Sequence, residues 1–204
     1  MDGAGHRWRA GVDAVDGSAV VLRLLEALPA NEAPVRVTVY QGMPKADKLE
    51  FIAQKLTELG IAALVPVVMA RSVARPEAKE RDKRRERLDR IAREAAKQCR
   101  RAMPVDVAPA LSWREACGRM QAHDLLLVPW EDARGRRVRD AWTAQPGARD
   151  IGIVIGPEGG IAPEEIEALE VLGAQTVTLG PRILRAETAA VTAAALAMAM
   201  WGDL

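Results

Sequence analysis

The sequence predicts an α/β fold built on a parallel sheet. The chain has 204 residues, of which 49% are hydrophobic and 28% charged, so it can bury one substantial core and is too apolar to be disordered. From residue 42 onward, helical and strand patterns alternate along the chain, which is the order of a βαβ architecture. Two of the strand patterns, 125–128 and 151–155, are continuously apolar, as strands covered on both faces are.

The first 40 residues favour strands. Strands are predicted over 8–15 and 18–28, on either side of an Asp16-Gly17 pair that is typical of a tight turn. Alternation of Val with polar residues predicts a further strand over 35–40. A two-stranded hairpin is too small to be stable by itself, so we expect it to be a lobe attached to a larger domain, or the remnant of a larger lobe.

A helix and a strand follow as the first repeat of the alternation. Between Leu49 and Leu59, apolar residues recur every three or four positions, which predicts a helix over 44–59 that ends at Gly60. The apolar run 61–69 is predicted to be a strand.

The middle of the chain predicts a long charged helix. Apolar residues recur on one face of 82–101 and charged residues occupy the others, and Pro104 stops the helix. A short strand is predicted over 105–107. Ser112 and Glu115 have the spacing of a capping box, which begins another helix.

The C-terminal part completes the alternation. After the apolar strands 125–128 and 151–155, Pro163 in a first turn and Gly173 past a last turn predict a helix over 163–172. A strand over 176–179 and a final helix over 187–201 follow.

Composition excludes several classes of site. Two cysteines and two histidines are too few and too scattered for a disulfide framework or a Cys- or His-based metal site, and we expect no metal. The longest nearly apolar run, 189–201, is too short to cross a bilayer. No charged segment followed by an apolar one marks a signal peptide. We therefore expect a cytoplasmic protein that does not enter a membrane.

Charge is distributed unevenly although the net charge is only +1. Residues 71–101 contain 13 Lys and Arg against 6 Asp and Glu, whereas residues 156–204 contain 2 against 7. A basic block of this kind indicates either a polyanionic partner or a solvated helix face.

The segment I-G-I-V-I-G-P-E-G-G over 151–160 is a buried strand that ends in a glycine-rich turn. Ligands of open α/β sheets bind beyond the carboxyl ends of strands, where glycines let the backbone approach them. The spacing fits neither the dinucleotide fingerprint nor a phosphate-binding P-loop, and the Glu158 carboxylate would repel phosphate. The segment is either such a ligand loop or a tight strand–helix turn.

Two further strand ends carry polar side chains. The segment T-L-G-P-R-I-L-R-A-E-T over 178–188 contains Arg182 and Arg185, the only Lys or Arg after residue 149, and L-L-L-V-P-W-E over 125–131 ends in Glu131. Both segments could form one crevice with the glycine-rich turn. Alternatively, 178–188 is only the capped start of a helix with surface arginines, and the Trp in 125–131 only packs in the core. No Ser/His/Asp or Cys/His set accompanies them, which favours chemistry supplied by an organic cofactor.

These segments resemble the signature of one enzyme family. I-G-P-E-G-G over 155–160 and L-G-P-R-I-L-R-A-E-T-A over 179–189 are together similar to the bacterial 16S ribosomal RNA (uracil-N3)-methyltransferases, members of the SPOUT superfamily of trefoil-knotted enzymes that use S-adenosyl-methionine. Further matching segments are P-K-A-D-K over 44–48, Q-K-L-T-E-L-G over 54–60, R-S over 71–72 and E-A-A-K-Q-C-R-R-A-M-P over 94–104.

The resemblance implies a domain division. Residues 35–204 correspond to the methyltransferase domain with its C-terminal trefoil knot, and residues 1–34 to the latter part of a PUA-like β lobe whose front strands are missing. We expect either a reduced lobe or a truncated one.

The resemblance also implies a cofactor site and a quaternary structure. S-adenosyl-methionine would lie in the knot, held by residues of the three strand ends, largely through backbone groups: Pro129, Glu131, Ile155, Gly156, Pro157, Gly159, Gly160, Leu179, Gly180, Ile183, Leu184 and Arg185. The apolar final helix would pack in a homodimer.

The implied reaction suggests catalytic roles for three residues. Uridine N3 must lose a proton before it can accept a methyl group, so a cation beside the uracil oxygens would help. Arg185 is the first candidate for that cation, with the RNA phosphate or the methionine carboxylate as its alternative partners. Glu158 or Glu187 could accept the proton, or could hold Arg185 or cap a helix instead.

The basic residues upstream gain a role from the same resemblance, as contacts to phosphates of 16S ribosomal RNA in the small subunit. The candidates are Lys45, Lys48, Arg71, Arg84, Arg87, Arg93, Lys97 and Arg101. Two alternatives stay open: a SPOUT enzyme that methylates another rRNA or tRNA nucleotide, and a non-catalytic RNA-binding protein of ribosome assembly.

Overall fold

The computed structural model describes residues 5–45, 47–75 and 77–204. In chain order its elements are β1 (Arg7–Asp16), β2 (Ala19–Leu28), β3 (Arg36–Gly42), α1 (Lys48–Glu58), β4 (Ala63–Val68), α2 (Ala78–Cys99), β5 (Asp106–Val107), β6 (Leu111–Ser112), α3 (Trp113–Met120), β7 (Leu125–Pro129), α4 (Val138–Ala144), β8 (Asp150–Ile155), α5 (Pro163–Val171), β9 (Gln175–Val177) and α6 (Ala186–Trp201).

The predicted parallel α/β sheet is confirmed. Within the described residues, seven strands form one sheet in the order β5-β4-β3-β8-β7-β9, with β6 also paired to β4, and all of these pairings are parallel. The carboxyl ends of β7, β8 and β9 therefore lie at one edge of the sheet.

Helices cover both faces of the sheet. On one face the core contains residues of α1, α2, α4 and α6, such as Ile52, Leu88 and Ala194, and on the other it contains residues of α3 and α5, such as Met120 and Leu169. Covering on both faces explains why β8 reads as a continuous apolar run.

The β1–β2 hairpin is a separate two-stranded sheet. Its turn follows Asp16, and Gly17 takes a positive φ of 49° there, as the predicted tight turn requires. Apolar side chains of both strands, including Val12, Leu22 and Leu24, are more than half exposed.

Several boundaries differ from the predicted ones. The first helix begins at Lys48, four residues later than predicted. The long helix begins at Ala78, four residues earlier than predicted. It ends at Cys99, because Arg100 takes a left-handed conformation. Neither β6 nor α4 is predicted from the sequence. β6 has only two residues, and α4 buries only Val138 and Ala141.

The capping box at the start of α3 forms as predicted. The Glu115 N–H donates to Ser112 Oγ, and the Ser112 N–H donates to Glu115 Oε2.

Arg101 is buried at the junction of three segments. Its Nε and Nη2 donate to Glu32 Oε2 at 3.1 and 2.7 Å, and Nη1 donates to the carbonyls of Thr57 and Ile61 at 2.9 and 3.0 Å. Only 7% of its side chain is exposed. This burial argues against the predicted contact between Arg101 and RNA, and assigns the residue to the fold instead.

Arg101→Ala is expected to lower the free energy of unfolding by about 3 kcal/mol, since it leaves Glu32 and two carbonyls without their donor. Urea denaturation measures the change. The matched control is Lys97→Ala, which removes a cation paired with Glu94 at the surface and should change stability by less than about 0.5 kcal/mol. Equal losses in the two variants would contradict the buried role of Arg101.

None of the helices in the described part of the chain is long and apolar enough to cross a membrane. Over the same residues, His, Cys, Asp and Glu side chains form no group of three or more that could hold a metal ion.

Candidate functional site

A cavity of about 820 Å³ opens at the carboxyl edge of β7, β8 and β9. Its walls come from the last residues of β7 and β8 and from the segments that follow the three strands, with Lys48 of α1 and Ala186 and Ala189 of α6 added. The residues predicted for the cofactor that line it are Pro129, Glu131, Ile155, Gly156, Pro157, Gly160, Leu179, Gly180, Ile183, Leu184 and Arg185. The structure thus brings together all of those predicted residues except Gly159. Of the predicted catalytic residues, Glu158 and Arg185 also line the cavity.

Backbone hydrogen bonds join two of these segments. The Trp130 N–H donates to Val177 O at 3.1 Å, and the Thr178 N–H donates to Arg136 O at 2.8 Å. Arg137 and Thr178 then form a parallel bridge. The pairing of β7 with β9 therefore continues past both strand ends, and it fixes one wall of the cavity.

The glycine loop, residues 156–160, is held from the side of β3. Gln41, which is fully buried, donates from Nε2 to the carbonyl of Gly156 at 3.3 Å. Next to it, Gly42 packs so closely on Pro157 that a Cβ atom would lie 2.5 Å from Pro157 Cδ. The position of this loop thus depends on the last two residues of β3.

The segment after β4 also holds the loop. Arg71 Nη1 donates to Gly159 O at 3.1 Å. The buried Glu165 carboxylate accepts from the Ala70 N–H at 2.8 Å and from the Ala162 N–H at 3.0 Å. Arg71, predicted as an RNA contact, therefore also supports the glycine loop.

Sequence reasoning missed Gln41 and Glu165 as supports of the site. Glu165 could have been found, because a glutamate three residues into a helix often accepts from the backbone at the helix start. Gln41 gives no such signal, since a polar residue at the end of a strand is usually exposed.

Lys48, Glu158 and Glu187 form an ion cluster at the cavity, here named the Lys48 cluster. Lys48 Nζ lies 3.0 Å from Glu158 Oε1 and 3.1 Å from Glu187 Oε2. The Lys45 N–H donates to Glu158 Oε1 at 3.0 Å. Lys45 and Lys48 were predicted to contact RNA, but Lys48 lies between the two predicted proton acceptors, and the Lys45 backbone positions one of them.

The Lys48 cluster favours charged forms of all three side chains. Burial alone would raise the pKa of Glu158 and of Glu187, but backbone hydrogen bonds and the Lys48 ammonium outweigh it, and both pKa values fall below their ordinary value. Hydrogen bonds to Glu158 and then Glu187 raise the pKa of Lys48. The carboxylates are thus ionised and able to accept a proton, although their lowered pKa makes them weak bases.

The other predicted RNA contacts lie on α2, and several have acidic partners. Arg87 Nη2 lies 2.8 Å from Glu50 Oε1, Lys97 Nζ lies 2.6 Å from Glu94 Oε1, and Arg84 is 3.5 Å from a glutamate one turn earlier. Arg93 is exposed. Three of these four predicted contacts on α2 are therefore already paired with glutamates.

His123 lies at the amino end of β7, away from the cavity edge. Its Nδ1 is 2.6 Å from Asp150 Oδ1 and its Nε2 is 2.9 Å from Tyr40 Oη. These bonds give the ring a structural role.

Comparison with known proteins shows what this chain is similar to. A family model described as an RNA methyltransferase domain matches residues 31–198. Proteins named Ribosomal RNA small subunit methyltransferase E are similar: that of Bacillus subtilis (strain 168) is 41% identical over 163 residues, and that of Mycobacterium bovis is 36% identical over 196 residues. The matches cover 78% and 94% of this chain, respectively. The chain spans 64% of the length of the Bacillus protein and 74% of the Mycobacterium protein.

A solved structure shares the fold. The crystal structure of a Ribosomal RNA small subunit methyltransferase E from Neisseria gonorrhoeae bound to S-adenosyl methionine superposes with a TM-score of 0.86 at 32% identity. The superposition covers 99% of this chain and 82% of that one.

Proposed function

Because the chain belongs to the RNA methyltransferase domain family, we propose that it transfers the methyl group of S-adenosyl-methionine to N3 of a uridine in 16S ribosomal RNA. The observation that carries the proposal is the cavity at the carboxyl edge, which is lined by residues of all three strand ends. Relatives named for small-subunit ribosomal RNA supply the substrate class. This substrate implies that the protein acts in the cytoplasm.

The cavity suits S-adenosyl-methionine in size and in lining. About 820 Å³ lies within the range of ligand pockets, roughly 300–1,000 Å³. Ile155, Leu179 and Leu184 would contact the adenosine, and the backbone of Gly156 and Gly160 would approach it closely. When bound, the cofactor supplies a methyl group on a sulfonium, which is already activated for transfer.

The protein groups then prepare the uridine. N3 lies on the pairing edge of the base, so the uracil must be unpaired and turned into the cavity. Loss of the N3 proton leaves a negative charge shared with the two uracil oxygens, and Arg185 would stabilise it. Glu158 or Glu187 would accept the proton, while Lys48 holds both carboxylates in place.

Calorimetric titration with S-adenosyl-methionine, with ATP and NAD as controls, tests the proposal first. We expect selective, saturable binding near one site per chain. Methyl transfer to small ribosomal subunits should follow, with transfer RNA and large subunits as negative substrates and nuclease mapping to locate the methyl group on N3. A folded protein that binds no S-adenosyl-methionine would refute the enzyme and favour a non-catalytic RNA-binding role.

The proposal extends to a trefoil knot and to two domains. The bonds from residues 177–178 to residues 130 and 136 support a threaded C-terminal segment. The separate β1–β2 hairpin supports a PUA-like lobe at 1–34, attached to a methyltransferase domain at 35–204. An experimental structure in which 178–204 passes outside the 130–137 segment would refute the knot.

We also propose a homodimer that packs through α6. One face of α6 is buried in the core, whereas the apolar Leu196 and Ala199 on the other remain exposed. Light scattering after size exclusion should give twice the chain mass, and a monomer at micromolar concentration would refute the dimer.

A further inference from the structure

The cavity wall contains arginines that the proposed chemistry does not use. Arg134 and Arg137 come from the segment between β7 and α4, and Arg182 comes from the segment between β9 and α6. Arg185 differs from them, because it interacts electrostatically with Glu187. The first three are here named the rim arginines.

One of the rim arginines, Arg137, lies on backbone that is held by hydrogen bonds. Arg137 and Thr178 form a parallel bridge, and the carbonyl of the residue before Arg137 accepts the Thr178 N–H at 2.8 Å. Arg137 also donates its N–H to Asp140 Oδ2 at 2.7 Å, which secures the start of α4. Two separate segments are thus joined where they present positive charge.

The rim arginines lack acidic partners over the described part of the chain, where no ion pair includes Arg134, Arg137 or Arg182. Acidic residues stand nearby in sequence, such as Glu131 and Asp132. On α2, by contrast, three of the four predicted phosphate contacts, Arg84, Arg87 and Lys97, pair with glutamates. Unpaired cations gathered at one cavity repel each other, and a bound anion would remove that cost.

A phosphodiester fits this arrangement. The fork of a guanidinium matches two phosphate oxygens, and three such groups can hold more than one phosphate. A nucleotide that enters the cavity with its base leaves its phosphates at the rim. The carboxylates of Glu131 and Glu158, which also line the cavity, would repel those phosphates and favour the cofactor's sulfonium.

We propose that Arg134, Arg137 and Arg182 bind the RNA phosphates that flank the target uridine, an inference that rests on the proposed function. The main phosphate contacts then lie on the rim of the cavity, and the paired arginines of α2 contribute less. Phosphate contacts at this position would also hold the RNA strand in register, so that one base reaches the Lys48 cluster.

The test compares two triple variants of equal charge. In one, Arg134, Arg137 and Arg182 are replaced by Gln. In the control, Gln replaces Arg114, Arg139 and Arg149, which are exposed and lie outside the cavity lining. Three readouts are measured for each: the affinity for a labelled oligouridylate as KCl is varied, the KM for small ribosomal subunits, and the Kd for S-adenosyl-methionine.

We expect the rim variant to raise the KM for subunits about tenfold or more, and to lower the salt slope of oligouridylate binding by about 2, at roughly 0.7 per lost phosphate contact. Its Kd for S-adenosyl-methionine should stay at the wild-type value, and the control variant should match wild type in all three readouts.

Two results would overturn the inference. If the rim and control variants bind RNA equally, while wild type methylates subunits, the rim site fails and the proposed function stands. If the rim variant loses affinity for S-adenosyl-methionine but not for RNA, the arginines hold the cofactor's carboxylate instead. Conversely, rim-dependent RNA binding by a wild-type protein that transfers no methyl group would support the rim site and refute the proposed function.

Discussion

Gly42→Ala is expected to weaken S-adenosyl-methionine binding about tenfold or more and to lower the free energy of unfolding by about 2 kcal/mol. A Cβ atom at residue 42 would lie 2.5 Å from Pro157 Cδ, 2.6 Å from Pro157 N and 2.8 Å from Met69 Sδ. Pro157 presents its backbone and its ring to this Cβ atom, so the clash can be relieved only by moving β3 or the glycine loop. Either movement disturbs the wall that is proposed to hold the cofactor.

Two other alanine variants separate the local effect from general destabilisation. Gly152→Ala places a Cβ atom 2.7 Å from His123 Cδ2 and from Leu126 Cδ1, within the sheet and outside the cavity lining. It should lower stability and leave the cofactor Kd unchanged. Gly118→Ala meets no atom within 4 Å and lies inside α3, so it should be neutral or stabilising by up to about 1 kcal/mol. If Gly42→Ala binds S-adenosyl-methionine with the wild-type Kd, the glycine loop tolerates the shift and the prediction is wrong.

The sheet and its functional edge could be predicted because they depend on local patterns. A continuous apolar run such as 151–155 reports burial on both faces, and the polar residues after a strand must lie at its carboxyl end. Strand ends in a parallel sheet share one edge, so Glu131, Glu158 and Arg185 could be expected to lie near one another before their contacts were known.

The supports of the site could not be predicted, since they join residues that are far apart in sequence. Arg71 and Gly159 are 88 residues apart, and Gln41 and Gly156 are 115 apart. Charge patterning indicated which basic residues could contact RNA, but it could not show which of them are buried or paired with carboxylates. Arg101 is buried with Glu32, Lys48 lies between two carboxylates, and Arg87 pairs with Glu50 on another helix.

Arg185→Ala is expected to lower kcat about 100- to 1,000-fold, with little change in the KM for RNA. The ammonium of Lys48 is already shared by Glu158 and Glu187, so the cluster as a whole carries a net negative charge. An ionised uracil placed against the Lys48 cluster would be repelled unless another cation offset the negative charges of the cluster and of the uracil. Arg185 lines the same cavity and lies close enough to Glu187 to interact with its carboxylate.

Kinetics at saturating cofactor and RNA distinguish this role from a binding role. Arg185→Lys keeps the charge and loses the planar fork, so we expect it to recover part of kcat. Raising the pH should also recover part of the loss in Arg185→Ala, because more of the bound uridine then ionises without help. A variant that only bound the cofactor poorly would gain nothing from higher pH once saturated. If Arg185→Ala retains the wild-type kcat and only raises the KM for S-adenosyl-methionine, Arg185 holds the cofactor, and stabilisation of the uracil anion must come from another group.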